Sequence, residues 1–302
     1  MGIRVLKGGM MTTVQDLGRT GYQSQGFSVS GVMDVRSFKI ANLLLDNPEN
    51  EAVLEFTLIG PTLEFTSETI ISITGGDFRP QINGKPAKMY TAIYMHRGDI
   101  LTFGGARTGT RGYIAFSSYL DVPVVMGSRS TNIKCQIGGY KGRKLEDEDY
   151  IAFRAKRRYL PYYLSRSLDL DEFDQEKITL RVVMGPQEKM FTKEGRETFL
   201  NSEYTVTSEF DRMGCRLEGP FIAYKTTSDI ISDGIAFGSV QVPSHGKPII
   251  LLADRQTTGG YAKIATVVSV DIPKLVQRKT EQKVRFQAVS VCLLYTSPSP
   301  RD

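Results

Sequence analysis

The residues best equipped for chemistry lie in one short stretch, residues 249–267, which reads IILLADRQTTGGYAKIATV. An apolar run leads into a charged pair, two threonines and two glycines, and then the chain becomes apolar again. A carboxylate, a guanidinium, hydroxyls and closely approachable glycine N–H groups can together bind a small carboxylate or phosphate. The predicted ligand-binding residues here are Asp254, Arg255, Thr257, Thr258, Gly259, Gly260 and Tyr261.

A purely structural interpretation of the same stretch stays open. Asp254 could pair with Arg255 or another neighbour, and the two glycines could serve a hairpin turn that needs positive φ.

Other polar residues sit between apolar ones elsewhere in the chain and extend the predicted site. Arg212 and Gln241 lie in segments that read as strands, and polar side chains at strand ends often point into a site. Arg19 and Asp34 supply charge in the glycine-rich N-terminal region, although each judged singly is more typical of a structural role.

The sequence assigns no catalytic base, nucleophile or metal ligand. A catalytic cysteine needs a base, and neither His96 nor His245 forms a recognisable Cys/His motif with Cys215. We therefore expect Cys215 to pack in a core. Those histidines are far apart and lack the companions of a metal motif. The glycine-rich segments 104–109 and 138–144 fit neither nucleotide-binding spacing, so any ATP site must be non-standard or shared with another chain.

Composition predicts a β-rich globular protein. The 302 residues are 40% hydrophobic and 24% charged, with 29 glycines, no tryptophan and many β-branched and aromatic residues. The 38 basic residues are nearly matched by 33 acidic ones, which argues against nucleic-acid binding. The first 14 residues lack a signal-peptide core, and apolar runs are far shorter than the roughly 20 residues of a membrane helix. We therefore expect a cytoplasmic protein that binds neither membrane nor nucleic acid.

Periodicity places a few helices among many strands. Apolar residues at 35, 38, 41, 44 and 45 predict a helix over 34–47 that is capped by Asp34, and a second short helix is predicted over 187–201. Short alternating runs bounded by Gly, Pro or Asn predict strands. They cover residues 52–58, 61–65, 69–74, 92–95, 100–104, 112–117, 178–186 and 283–289.

Charge and composition divide the chain into four segments. We predict an N-terminal β-rich domain, a meander or barrel of many strands, over 1–158, a charged linker over 159–177 and a second β-rich domain over 178–291. The final segment, 292–302, reads CLLYTSPSPRD and matches the in-frame translation of a transposase adapter used in library sequencing. We expect it to be a cloning or assembly scar that replaces the natural C-terminus.

Two loops resemble each other, since QDLGRTGYQ (15–23) and ADRQTTGGYAK (253–263) both run from Asp through Arg and Thr-Gly to Tyr. Two related β units with a ligand cleft between them would account for this similarity.

Five motifs together carry a family resemblance: TTVQDLGRTGYQ, SGVMD, GSRST, DRMGCRLEGP and GSVQVPSHGKPIILLADRQTTGGYAKIATV. In this order they resemble the allophanate hydrolase subunit 2 family, also called the KipA-like or biotin-dependent carboxyltransferase family. The resemblance covers residues 3–291. It implies two cyclophilin-like β-barrel domains and the role of the C subunit of 5-oxoprolinase, which acts with the A subunit and a KipI-like B subunit.

The resemblance also implies a reaction, the ATP-driven opening of 5-oxoproline to glutamate. Arg255 or Arg19 would then hold the substrate carboxylate, and the backbone and hydroxyls of 257–260 would receive phosphoryl oxygens. The implied cofactor is ATP with Mg²⁺ at a site shared with a partner protein, and no covalent biotin is expected on this chain.

Two other functions remain open for this family. One is the carboxyltransferase half of a urea carboxylase-like enzyme, which would need a biotinylated partner. The other is a KipA-like regulatory protein that binds a KipI-like kinase inhibitor.

Overall fold

The structure is a computed structural model and describes residues 1–156, 159–169 and 173–292. The chain divides into two compact units, one of residues 1–23 with 28–174 and one of residues 24–27 with the chain from 175 onward. Residues 293–302 of the predicted adapter scar and residues 170–172 of the predicted linker lie outside the described residues.

The first unit contains two antiparallel sheets. The six-stranded sheet has the order β11-β1-β4-β9-β6-β7, and the five-stranded sheet has the order β2-β3-β10-β5-β8. The strands are β1 (Gly2–Lys7), β2 (Met11–Gln15), β3 (Val53–Thr57), β4 (Thr62–Phe65), β5 (Thr69–Asp77), β6 (Gln81–Ile82), β7 (Lys85–Pro86), β8 (Ala92–Met95), β9 (Ile100–Thr102), β10 (Thr108–Phe116) and β11 (Tyr150–Ala152).

One apolar core joins the two sheets of this unit. Ile3 and Leu63 of the six-stranded sheet and Phe56 and Ile71 of the five-stranded sheet are fully buried in the same cluster. Alternation along strands such as β4 and β5 sends every second side chain into this cluster, which is the pattern that the sequence predicts.

A helix covers the other face of the five-stranded sheet. This helix, α1 (Val35–Leu44), packs Phe38 and Ala41 against Tyr113 of β10. The side chain of Asp34 accepts the backbone N–H of Ser37 at 2.9 Å, as an N-cap does. The predicted capped helix is confirmed.

The second unit is a closed barrel of seven strands in the order β12-β19-β16-β17-β14-β13-β20. Parallel pairing of its first and last strands closes it, with Leu180 opposite Phe286. A separate two-stranded ribbon is formed by β15 and β18. The strands are β12 (Lys177–Met184), β13 (Tyr204–Phe210), β14 (Gly214–Glu218), β15 (Asp229–Gly234), β16 (Ser239–Gln241), β17 (Ile249–Leu251), β18 (Thr258–Tyr261), β19 (Lys263–Val267) and β20 (Lys283–Ala288).

The mainly β fold class is therefore confirmed, whereas the predicted helix over 187–201 is broken in two. A 3-10 turn spans Glu188–Met190 and α2 spans Lys193–Asn201, with Thr192 as the N-cap between them. Phe191 interrupts the helix because its backbone is extended and its side chain is fully buried beside Tyr224.

Two helices of the second unit support the barrel. Phe199 of α2 stacks on Phe286 of β20 with ring centroids 4.4 Å apart, an arrangement of the kind favoured by aromatic pairs. The helix α3 (Ile272–Val276) follows β19 and begins at the buried Asp271. Within the described residues, we find no helix with the length and apolar character needed to cross a membrane.

Candidate functional site

A cavity of about 460 Å³ opens within the second unit, where β14, β16 and β17 meet the turn that follows β17. This volume lies in the range of about 300–1,000 Å³ that is typical of small-molecule sites. Apolar side chains form part of its wall. The polar and charged residues that line it are Ser208, Glu209, Asp211, Arg216, Gln241, Arg255 and Gln256.

Gln241 lies in the cavity wall and carries a polar group whose hydrogen bonding is unsatisfied. Its side chain is 6% exposed, and its Nε2 atom is buried without a hydrogen-bond partner. A buried polar group in that state costs about 1–3 kcal/mol, so it requires an explanation. A ligand that offers an acceptor to Nε2 would remove the cost.

Because Gly259 has no side chain, the carboxamide of Gln241 can occupy the space beside it. A Cβ atom at position 259 would lie 2.8 Å from Nε2 of Gln241 and 2.7 Å from Cδ1 of Ile235. These distances are shorter than ordinary contacts, so a side chain at 259 would displace the carboxamide. The lack of a side chain at position 259 therefore leaves room for the carboxamide of Gln241.

Asp254 and Arg212 form an ion pair beneath the turn. The carboxylate accepts Nε of Arg212 at 2.9 Å and Nη2 at 3.1 Å, and both side chains are largely buried. Two parallel hydrogen bonds of this kind fix both geometry and orientation. Pairing of Asp254 with Arg255 or another neighbour was the structural alternative drawn from sequence, and the structure adds a partner that lies 42 residues away.

Arg255 lines the cavity and donates to two backbone carbonyls. Its Nε donates to the carbonyl of Ile235 at 3.0 Å, its Nη1 donates to the carbonyl of Leu252 at 3.2 Å, and its guanidinium lies 5.6 Å from the ring centre of Phe237. Burial lowers the pKa of the Arg255 guanidinium, because a desolvated charge is disfavoured. An anion bound in the cavity would stabilise that charge.

Gly259 and Gly260 do not form the positive-φ hairpin turn that the structural interpretation left open. Thr258, Gly259, Gly260 and Tyr261 form strand β18 of the ribbon, and neither glycine has positive φ. The physical reason is pairing with β15, which extends the backbone and engages its N–H and C=O groups. Thr257 is half-buried before the strand, whereas Thr258 and Tyr261 are exposed.

The two predicted residues of the first unit have structural partners there. Arg19 is 1% exposed and donates through Nη2 to the carbonyl of Ser130. The Asp34 carboxylate accepts hydrogen bonds from both the N–H and the hydroxyl of Ser37, and the backbone N–H of Asp34 donates to the hydroxyl of Tyr113. Both residues belong to the first unit, whereas the residues that line the cavity belong to the second unit.

Sequence reasoning gave no role to a buried lysine close to the cavity. Lys263 is 3% exposed and faces Gln241 across the pairing of β16 with β19. The signal was its position as a charged residue in an otherwise apolar run, because a buried lysine needs a counter-charge. Cys215 is fully buried in β14, in agreement with the expectation that it packs in a core.

A family comparison decides the assignment of the fold. The profile of the carboxyltransferase domain, subdomains A and B, matches residues 25–288. The chain belongs to this carboxyltransferase family. The match includes every predicted site residue except Arg19 and four of the five motifs, and it confirms the family resemblance.

Two relatives in this family are components of 5-oxoprolinases. The chain is 33% identical over 296 residues to the 5-oxoprolinase C subunit of Escherichia coli, covering 96% of this chain and 92% of the relative. It is 34% identical over 279 residues to the 5-oxoprolinase C subunit of Haemophilus influenzae, covering 92% and 88%.

A solved structure gives the same family relationship. The chain superposes on the urea carboxylase of Kluyveromyces lactis with a TM-score of 0.90 and 29% identity, covering 97% of this chain and 28% of that one. The carboxyltransferase fold is thus used both in subunits of this length and as one region of a longer enzyme.

Proposed function

We propose that the chain is the C subunit of a multi-subunit, ATP-dependent 5-oxoprolinase and that its cavity binds 5-oxoproline. The observation that carries this proposal is the buried, unpartnered carboxamide nitrogen of Gln241 in the cavity wall. A lactam carries one N–H and one C=O on the same edge, and a carboxamide can pair with both. The likeness to two 5-oxoprolinase C subunits over nearly their whole length supports this choice.

Arg255 has the chemistry to hold the other end of this substrate. 5-Oxoproline carries a carboxylate, and a guanidinium binds a carboxylate through two parallel hydrogen bonds. Two backbone carbonyls fix the position of Arg255, and a carboxylate bound in the cavity would lie beside its positive charge. Gln241 would orient the lactam and Arg255 the carboxylate, so the two residues together select a cyclic amide acid.

ATP supplies the drive for the reaction, because a resonance-stabilised lactam resists attack by water until its carbonyl oxygen is activated. This chain contributes binding and orientation to that chemistry. Within residues 1–156, 159–169 and 173–292, no three His, Cys, Asp or Glu side chains cluster in a way that could hold a metal ion. We therefore assign the Mg²⁺ that accompanies ATP to a site completed by the A and B subunits of the enzyme.

Reconstitution tests the proposal directly. The chain is purified together with the A and B subunits from the same source, and glutamate formed from 5-oxoproline is measured with and without ATP. We expect ATP-dependent glutamate formation that falls at least tenfold in Gln241→Leu, because the variant cannot bind the lactam amide. The matched control is Gln287→Leu, which places the same substitution at an exposed position of the same barrel and should leave turnover unchanged.

A complex that forms glutamate at the same rate with Gln241→Leu would contradict the cavity assignment. A complex that assembles but never converts 5-oxoproline would contradict the proposed reaction.

A second candidate function has one specific observation in its favour, the TM-score of 0.90 against a urea carboxylase. In that case the chain would be one half of a carboxyltransferase that moves a carboxyl group from biotin to a urea-type amide. Transfer of labelled carboxyl from carboxybiotin to urea by the same reconstituted complex, without glutamate formation, would favour this function over the first.

A further inference from the structure

The buried lysine of β19 has an unusual counter-ion. The Lys263 side chain is 4% exposed, whereas its ion-pair partner Asp233 is 54% exposed, with Nζ and Oδ2 3.1 Å apart. A buried ammonium requires a negative partner, because its desolvation is otherwise uncompensated. A carboxylate that remains half in solvent is one that a competing anion can replace.

A second donor converges on the same carboxylate oxygen. Nε2 of Gln187 donates to Oδ2 of Asp233 at 3.3 Å, and Oε1 of Gln187 accepts the backbone N–H of Lys263 at 3.2 Å. The position of Oδ2 is therefore a point on which an ammonium and an amide N–H are both aimed. Two fixed donors around one oxygen are what an oxyanion site needs.

This ion pair adjoins the corner of the cavity that holds Gln241. Lys263 lies opposite Gln241 in the pairing of β16 with β19, and Asp233 lies opposite Gly259 in the ribbon. Gly259 in turn borders the amide of Gln241. Lys263 is therefore a cross-strand neighbour of Gln241, and Asp233 is a cross-strand neighbour of Gly259.

We propose that Lys263 and Gln187 form an oxyanion-binding subsite and that the carboxylate of Asp233 stands where a ligand oxygen would bind. Oxygens of a phosphoryl group fit this subsite, because they can accept from both donors and match the positive charge. Assignment of the phosphoryl group to the activation step rests on the proposed function, whereas anion binding itself does not.

Binding of inorganic phosphate to the purified chain tests the subsite by titration calorimetry. In Asp233→Asn the ammonium loses its counter-charge, so we expect phosphate to bind at least tenfold more tightly than to the unchanged chain. Adding Lys263→Met to that variant should abolish the gain. Asp229→Asn is the matched control on the same strand, and its phosphate affinity should equal that of the unchanged chain.

The outcomes separate this proposal from the function. Unchanged or weaker phosphate binding in Asp233→Asn would overturn the subsite and reduce the ion pair to a tether between ribbon and barrel. A tenfold gain for 5-oxoproline instead of phosphate would overturn the phosphoryl assignment, because the subsite would then take the substrate carboxylate. Loss of 5-oxoproline turnover in Gln241→Leu is measured separately, so either proposal can fail while the other stands.

Discussion

The Nε2 atom of Gln241 lies 2.8 Å from the point that a Cβ on Gly259 would occupy. The two residues are 18 positions apart in the chain, and the barrel and its ribbon bring them together. The missing side chain of one residue thus sets the position of the functional group of the other.

Gly259→Ala should reduce binding without unfolding the protein. The new methyl group would meet the ends of two side chains, Gln241 and Ile235, which can move, and the backbone at 259 does not have the positive φ that strains an alanine. We expect 5-oxoproline-dependent turnover in the reconstituted complex to fall at least tenfold through a raised KM. In the control Gly260→Ala, the nearest atom to the new Cβ is 3.6 Å away, which is an ordinary contact. Equal losses in both variants would contradict the role given to position 259.

Arg255→Ala should weaken the binding of 5-oxoproline, and Arg255→Lys should not restore that binding. Lysine keeps the charge but cannot form two parallel hydrogen bonds to a carboxylate. We expect KM for 5-oxoproline to rise at least tenfold in both variants. The comparison variant is Arg216→Lys, at a cavity residue that is half exposed and paired with Glu209, where we expect a smaller change. Unchanged turnover in Arg255→Ala would rule out the carboxylate clamp.

The contributions of Arg212 and Asp254 to the free energy of unfolding should be coupled, because their side chains form an ion pair. Loss of one partner leaves a largely buried charge without its counter-charge, and this typically costs about 3–5 kcal/mol of unfolding free energy. We expect Arg212→Met and Asp254→Asn each to destabilise the chain, and the double variant to lose less than the sum of the two. Denaturant unfolding of the four proteins measures the coupling, and additive losses would contradict it.

Acidic pH should remove the contribution of Asp271 to the free energy of unfolding. Burial raises the pKa of its carboxyl, but hydrogen bonds from Arg181 and Lys274 outweigh burial and hold the pKa below its ordinary value. A lowered pKa means that the stabilisation is complete above the unfolded value of about 3.9 and disappears as pH falls through the folded value. Asp271→Asn should therefore lose about 2–3 kcal/mol of unfolding free energy at neutral pH. A loss that persists unchanged in strong acid would contradict this cause.

Asp34→Ala should affect the helix more than the reaction. The carboxylate caps α1, and loss of such a cap costs about 0.5–2 kcal/mol of unfolding free energy. Asp34→Asn keeps an N-capping side chain and should recover most of that loss in denaturant unfolding. A stable Asp34→Asn protein whose complex has lost turnover would instead return this carboxylate to the binding site.

Local sequence could predict those features whose partners are close along the chain. Asp34 and Ser37 are three residues apart, so the cap and the start of α1 could be predicted from sequence. The strand pattern was equally accessible, because alternation along β12 and β20 records which side chains face the core. The helix predicted over 187–201 failed at Phe191, where burial beside Tyr224 outweighed local helix propensity.

The sequence by itself determined the β-rich class, the capped helix and the family, since each depends on residue order or on periodicity within a few positions. Only the tertiary structure decided that Asp254 pairs with Arg212, that Gly259 lies in a strand, and that Gln241 and Arg255 line one cavity while Lys263 pairs with Gln241. The physical reason is that barrel closure joins strands far apart in the chain. The partner of a buried charge or amide is then set by strand register, which no short stretch of sequence contains.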